Sequence, residues 1–455
     1  MEEQPSAGQG KGVRHAEKSR RATCAFADRV ATLCVEAYRR AAAELPFLER
    51  GDSKTVFAAF LVGRSSARLF QDACPSSSPN ATCTADVQQL EVVACGLGTK
   101  FVDGDKSGDR LRDLHAEALA RRAFKVYLHR QLETTAESQA REGGGEKGDA
   151  AENAPIVAQD SDGFFSLRSG CSVHFYTSSA PCGNATVRRW ATAGTGTAFP
   201  SLSPSQQPLQ SHPLHLFPHS AIGQVALLAK ASRGAGVERE DWLPSSCARL
   251  GPSRPLPILS CSDKIAKWNA LGVQGSRLLS RFAKPVYIHS VTVGRKFSLR
   301  HSERALCCRL QPPRKRAAFL SLPPPFSINH PALMTCSVKF DDGVFLAEAG
   351  AIFSEYRCLA WLPQCPAIPY QILDGLSGVL IMDPSCPPVT DPSHPSLLSS
   401  SSLHALFGPK DSRYQQAFQK LCIYEPFNEL QQQQLSISSA SSSSSSSSTT
   451  TTTTK

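Results

Sequence analysis

No stretch of this sequence approaches the roughly 20 consecutive apolar residues that a helix needs to cross a bilayer, so no membrane span is expected. The polar opening Met1-Glu2-Glu3-Gln4-Pro5 lacks the apolar run of a secretory signal. Internal repeats of the solenoid kind are missing too. Cysteine is plentiful, but the 16 residues are scattered and do not form the compact framework of a small secreted domain. Without an export signal the thiols should stay reduced, most as small buried apolar residues and a few as metal or catalytic ligands. The expectation is an intracellular protein, nuclear or cytoplasmic or both, with no disulfide-linked partner.

The 455 residues, 41% of them hydrophobic, suffice for a domain whose core can keep water from a site. Basic residues outnumber acidic ones by 49 to 39, and the net charge of +10 favours anionic partners such as nucleic acid. Residues 1–22, with Lys11, Arg14, Lys18, Arg20 and Arg21, read as a basic disordered tail. Val30, Leu33, Cys34 and Ala37 then recur at helical spacing, so order is expected from about Phe26. Segments near 141–160, 199–255 and 384–402 read as flexible inserts, and residues 431–455 as a Gln/Ser/Thr tail that cannot bury a core. His212, His215 and His219 fall in the second insert, where a loop is the better reading than a second metal site. Alternation in Val173-His174-Phe175-Tyr176 and in Val286-Tyr287-Ile288 predicts strands among the helices, hence a mixed α/β class.

Residues 113–132, DLHAEALARRAFKVYLHRQL, place Ala116, Leu119, Ala120, Ala123 and Tyr127 at spacings of three and four, which predicts a helix with Asp113 as N-cap. His115 and Glu117 then share its first turn, an imidazole able to hold a metal beside an unligated carboxylate. Alone, H-x-E also describes an exposed helix start with an acid near the dipole. The second piece is Ala180-Pro181-Cys182-Gly183, where proline suits a first helical turn and the unpaired N–H groups would stabilise a thiolate. Zinc deaminases of nucleobases combine H-x-E with P-C-x-x-C, but position 185 is Ala185, so the third ligand must lie elsewhere. A closed four-ligand site that recruits Cys95, Cys171 or Cys247 is the structural alternative.

The segments GLGTK (96–100), DLHAEALARR (113–122), PCG (181–183) and SCSDKIAKWNALGVQGSRLL (260–279) together resemble the RNA adenosine deaminase domain. That domain is shared by tRNA-specific enzymes and by adenosine deaminases acting on double-stranded RNA, and His301, Arg304 and Ala305 match its H-x-x-R-A. The resemblance assigns residues 23–430 to such a domain. It implies a cytidine-deaminase-like three-layer core, a central sheet flanked by helices and extended by a C-terminal part. It also implies zinc on His115, Cys182 and Cys261, with Glu117 carrying protons while water displaces the amino group at C6 of adenine to give inosine. A second implied cofactor is inositol hexakisphosphate, held by Arg121, Arg122, Lys264, Lys267, Trp268 and Gln274, with Asp113 linking that site to the zinc. Thr99 and Lys100 are the expected substrate contacts. The sequence departs from the family where Leu403 and Phe418 stand at usual lysine positions, where Arg112 replaces an asparagine, and where a tryptophan is missing before Pro426.

The tRNA branch is favoured because residues 28–38, DRVATLCVEAY, resemble the opening helix of the tRNA enzymes, and Thr186 is closer to that branch's small residue than to arginine. The target would be the adenosine 3′ of the anticodon in an alanine tRNA, whose loop bases are already partly unstacked. Two rivals remain: editing of double-stranded or messenger RNA by the same chemistry, and an inactive RNA-binding relative. Retention of His115, Glu117, Cys182 and Cys261 argues against inactivity.

Overall fold

The computed structural model describes residues 9–45, 55–65, 87–101, 108–142, 154–182, 185, 229–230, 258–307, 322–338, 357–362, 370–375, 377–381 and 396–422. The first elements are α1 (Gln9–Glu44), β1 (Phe57–Arg64), β2 (Gln89–Leu97), β3 (Thr99–Phe101), β4 (Asp113–His115) and α2 (Ala116–Glu142). Next come β5 (Val157–Gln159), β6 (Phe165–Leu167), β7 (Cys171–Thr177), β8 (Ala229–Lys230), β9 (Ile258–Leu259), α3 (Cys261–Leu271) and the short α4 (Gly275–Leu278). The C-terminal part adds β10 (Ser290–Val293), α5 (Leu299–Leu306), β11 (Ala332–Thr335), β12 (Arg357–Trp361), β13 (Tyr370–Asp374), β14 (Leu380–Ile381), α6 (Ser400–Phe407) and α7 (Ser412–Cys422).

Eight strands form one mixed sheet in the order β11-β10-β7-β1-β2-β12-β13-β14. β10 runs parallel to both β7 and β11, and the pairs on the other side of β7 are antiparallel. β1 lies deep in the sheet and reads FAAFLVGR, a nearly continuous apolar run, because both of its faces are covered. Phe57, Ala59 and Leu61 join the core beneath α1, whose Val30, Cys34, Ala37, Tyr38 and Ala41 form a buried stripe. Ala58, Phe60 and Val62 point the other way, into the larger core shared with α2 and α3. There Phe60 stacks on Phe124 at 4.5 Å, and Trp268 meets Phe175 edge-on at 6.0 Å. The result is the three-layer, helix-flanked sheet that the resemblance implies. A third apolar cluster of Ala266, Ala270, Leu271, Phe326, Tyr414 and Ala417 docks the C-terminal α7 against α3.

Several sequence expectations need correction. α1 starts at Gln9, so the helix takes in most of the segment read as a disordered tail; from Val13 to Glu44 no proline interrupts a run rich in helix-favouring Ala, Arg, Lys and Glu. Asp113 is no N-cap: it begins strand β4, and α2 starts only at Ala116 and continues to Glu142. The end of the 141–160 insert is ordered, since Ile156 and Val157 are fully buried and β5 pairs with β6. Likewise the 384–402 insert ends in the buried Leu398 and in Ser399, which caps α6 by accepting from Ser402 N. Val286–Ile288 is not a strand; Val286 instead bonds Val273 and Gln274, and β10 begins at Ser290. Of the 199–255 insert only residues 229–230 are described, paired with 258–259 as β8 and β9. His212, His215, His219 and residues 431–455 lie outside the described residues. Among the described residues no helix is long and apolar enough to cross a membrane.

Candidate active site

Three local structures bring the predicted site together at one end of the sheet. The first is the turn from β2 into β3, where Gly98 (φ 153°) accepts from Ala116 N through its carbonyl at 2.9 Å and so holds the start of α2. A Cβ at Gly98 would come within 2.3 Å of Leu114 O, which explains the glycine in GLGTK. This contact fixes His115, the last residue of β4, and Glu117, in the first turn of α2, both buried. The second is the segment leaving β7, which delivers Cys182. The third is the N-terminus of α3. Ser260 caps it by accepting from Asp263 N at 3.3 Å and donating to Asp263 Oδ2 at 2.6 Å, which sets Cys261 at the first helical position.

The ligand atoms of His115, Cys182 and Cys261 lie within 4.8 Å of one another, the one such cluster of three among the described residues. Tetrahedral zinc, with bonds of about 2.0–2.3 Å, needs donors about 3.5 Å apart, so small side-chain rotations fit the set to a single ion. Pro181 and Cys182 do not open a helix as expected, since Cys182 sits in a bend, but another helix serves Cys182. Cys261 N donates to the Cys182 Sγ at 3.3 Å and Ser262 N to the Cys182 carbonyl at 3.0 Å, so the N-terminus of α3 gives one N–H to that thiol and anchors its backbone with the next. Burial and the neighbouring Cys182 push the Cys261 thiol well above its ordinary value, a state that a divalent cation reverses. Cys95 on β2 and Cys171 on β7 are not in the cluster, and Cys247 lies outside the described residues.

Asp113 organises the site from behind. Its Oδ1 accepts from the His115 ring Nδ1 at 2.9 Å, which puts the proton there and leaves Nε2 as the ring nitrogen that could hold a metal. Its Oδ2 pairs with Lys264 Nζ. Burial works against the charge on Asp113, but Lys264 and His115 outweigh it and hold the carboxyl well below the usual carboxylate range. Glu117 behaves in the opposite way: burial, then the Cys182 thiol, raise its carboxyl above the ordinary value. A buried carboxyl beside the cluster is a candidate proton carrier.

Asp113 and Lys264 also line a cavity of about 360 Å³. Of the residues expected there, Arg121, Arg122, Lys267 and Trp268 line it as well. Arg121 lies 5.2 Å over the Trp268 ring and donates to Val273 O at 3.0 Å, while Arg122 donates to Leu398 O at 2.5 Å. Gln274 does not line the cavity; its amide is taken by Leu271 O and by Val286 N. Lys125, Arg277 and Lys410 are lining cations that the sequence reading missed. Lys125 was within reach, because it follows Arg121 by four residues on one helix, a like-charge spacing that is unfavourable unless something anionic faces it. Burial and the charges of Arg121, Arg122, Arg277 and Lys267 drive the Lys125 amine well below its ordinary value. Leu403 is part of the wall, and Phe418 takes the Lys267 ammonium over its ring at 4.7 Å. Thr99 pairs with His115 across β3 and β4; Lys100 pairs with Leu114, and its side chain lies outside the description.

Comparison with known proteins decides the family. The adenosine-deaminase (editase) domain matches residues 94–351, more than half of the sequence. The chain belongs to the adenosine-deaminase (editase) domain family. It is 32% identical over 251 residues to the double-stranded RNA-specific editase Adar of Drosophila melanogaster, covering 54% of this chain and 32% of the relative. It is 34% identical over 261 residues to the double-stranded RNA-specific adenosine deaminase of Mus musculus, covering 54% and 19%. With the tRNA-specific adenosine deaminase 1 of Homo sapiens the identity is 24% over 436 residues, covering 76% of this chain and 81% of the relative. The chain thus spans a third or less of the double-stranded RNA relatives' length but most of the tRNA-specific one. His115, Glu117, Cys182 and Cys261 all fall within the matched range.

Proposed function

We propose that this chain is a zinc-dependent enzyme that hydrolyses adenosine to inosine in tRNA. The observation that carries the chemistry is the convergence of His115, Cys182 and Cys261 on one point with the buried Glu117 beside them. The donor set of one imidazole and two thiols suits zinc and leaves one coordination position open. Zinc, when bound, supplies the Lewis acidity that makes water a nucleophile at neutral pH. Asp113 keeps the His115 ring in one tautomer and one orientation. The α3 N-terminus stabilises Cys182 as thiolate. Glu117 would take one proton from the attacking water and deliver it to the adenine ring, then move the remaining proton of the new C6 hydroxyl to the amino group, which leaves as ammonia. Thr99 and Lys100, on the strand paired with β4, are proposed to contact the substrate.

Inositol hexakisphosphate is the proposed second cofactor. Seven cations line the cavity against the single carboxylate Asp113, which His115 and Lys264 already share. Burying so many like charges costs several kcal/mol per ion unless a polyanion faces them, and arginine forks suit phosphate. Leu403 and Phe418 reduce the positive charge at two places, while Lys125, Arg277 and Lys410 add to it.

The tRNA reading is supported by a match that runs over most of the length of the tRNA-specific relative. The rival, editing of double-stranded RNA, is supported by the higher identity within the shared domain. Incubating the protein with total tRNA and, separately, with a long RNA duplex, then locating inosine by sequencing, separates the two. Inosine 3′ of the anticodon in alanine tRNA is the expected outcome; inosine in the duplex alone would replace tRNA with double-stranded RNA.

A further inference from the structure

Parallel strands send their following loops to the same end of a sheet, where ligands bind. Thr177, the last residue of β7, lies opposite Val293, the last residue of β10. The loop after β7 leads to Cys182, and the loop after β10 carries Arg295 and Lys296. Two hydrogen bonds staple these loops together: Gly294 N donates to Thr177 O and Ala180 N to Arg295 O, each at 2.9 Å. Gly294 makes the approach feasible, since a Cβ there would meet the Tyr176 hydroxyl at 2.8 Å and Ser178 O at 2.9 Å. The backbone of Arg295 is therefore tied to the residue two before Cys182. Lys296 has φ 59°, the one non-glycine in the left-handed region among the described residues. Such a conformation is unfavourable for a residue with a Cβ and persists where its surroundings impose it. Phe297 packs on the main core beneath the loop, while Lys296 is exposed and Arg295 half-buried.

We infer that Arg295 and Lys296 form a cationic lip that grips RNA backbone phosphates beside the adenosine entering the metal site. This rests on the deaminase reading for the position of the target base, but RNA contact can be tested without turnover. The full-length protein is titrated with a purified tRNA at several salt concentrations, as wild type, as Lys296→Gly combined with Arg295→Ala, and as Arg39→Ala on α1, across the sheet from α2. Glycine at 296 accepts the left-handed backbone, so the change removes a charge without distorting the loop. Each lost phosphate contact reduces the slope of log K against log salt by about 0.7–0.9, so the double variant should lose about 1.5 units of slope. Its KM for RNA should rise several-fold more than its kcat falls, with zinc content and melting temperature unchanged. An unchanged slope and affinity, or an equal loss in Arg39→Ala, would overturn the inference. Wild-type protein that binds tRNA through these residues yet forms no inosine would instead count against the proposed deaminase function.

Discussion

Replacing Asp113 with asparagine tests the link between the two halves of the site, because it removes one negative charge while keeping size and shape. In the native protein that charge is shared by the His115 ring and Lys264, and both partners are largely buried. Lys264 would be left charged in the interior, and removing one partner of a buried pair costs about 3–5 kcal/mol. Asparagine still offers an oxygen to His115 Nδ1, so the lower end of that range is expected, with urea denaturation as the assay. The weaker support for the His115 ring should also reduce zinc affinity by about 10–100-fold, as loss of such a partner does elsewhere. Competition with a chelator measures that loss. A variant that unfolds at the wild-type urea concentration and keeps wild-type zinc affinity would show that Asp113 neither neutralises Lys264 nor orients His115.

Changing Cys182 or Cys261 to alanine removes one of the three proposed ligands, so purified protein should lose its zinc; undiminished metal by emission spectroscopy would reject the assignment. Stability should fall on acidification because burial lowers His174 to about 3 and His289 to about 4, with His174 held between Ser172 and Ser290. In the unfolded chain both titrate near 6.5, so below that pH the unfolded state takes up protons that the folded state refuses. This stability, complete above about pH 7, should fall by about 2 kcal/mol per histidine by pH 5. Urea midpoints against pH should show a shallower decline for His174→Gln; an identical slope would mean that His174 is protonated in the fold. Protein from a eukaryotic host should release inositol hexakisphosphate on acid extraction, and Lys125→Met should retain less of it. Stable protein from a host lacking that compound, with no anion recovered, would mean that the cavity cations are satisfied by water.

How far the sequence revealed the site depended on where each signal sits. That His115, Cys182 and Cys261 come together was legible because each lies in a short local motif of residue types suited to one chemistry. The helical stripe from Val30 to Ala41 was legible because burial on one side leaves a period in the sequence. The strand 171–177 is buried on both faces, yet it still alternates, because Ser172 and His174 bond each other on one face while Val173 and Phe175 pack into the apolar core on the other. Asp113 was misjudged as a cap because cap residues and second-layer carboxylates are the same residue types; only the pairing of β3 with β4 distinguishes them. Val286–Ile288 misled because a buried extended segment can bond a side chain, here Gln274, as readily as a strand. Lys410 and Arg277 carried no local signal, since their place in the cavity depends on how α4 and the loop after α6 come to rest against α2 and α3.

The most direct test of the account is inosine formation by wild-type protein and by Glu117→Gln, each with zinc quantified and each incubated with the same tRNA. The substitution keeps the buried side chain's size and removes its ability to carry protons. The account predicts inosine from the wild type and at least a hundredfold less, on the order of the loss of a general acid–base, from a variant that binds equal zinc and equal tRNA. Inosine produced by the variant at a rate within a few-fold of wild type, or none from a wild type loaded with zinc, would contradict it.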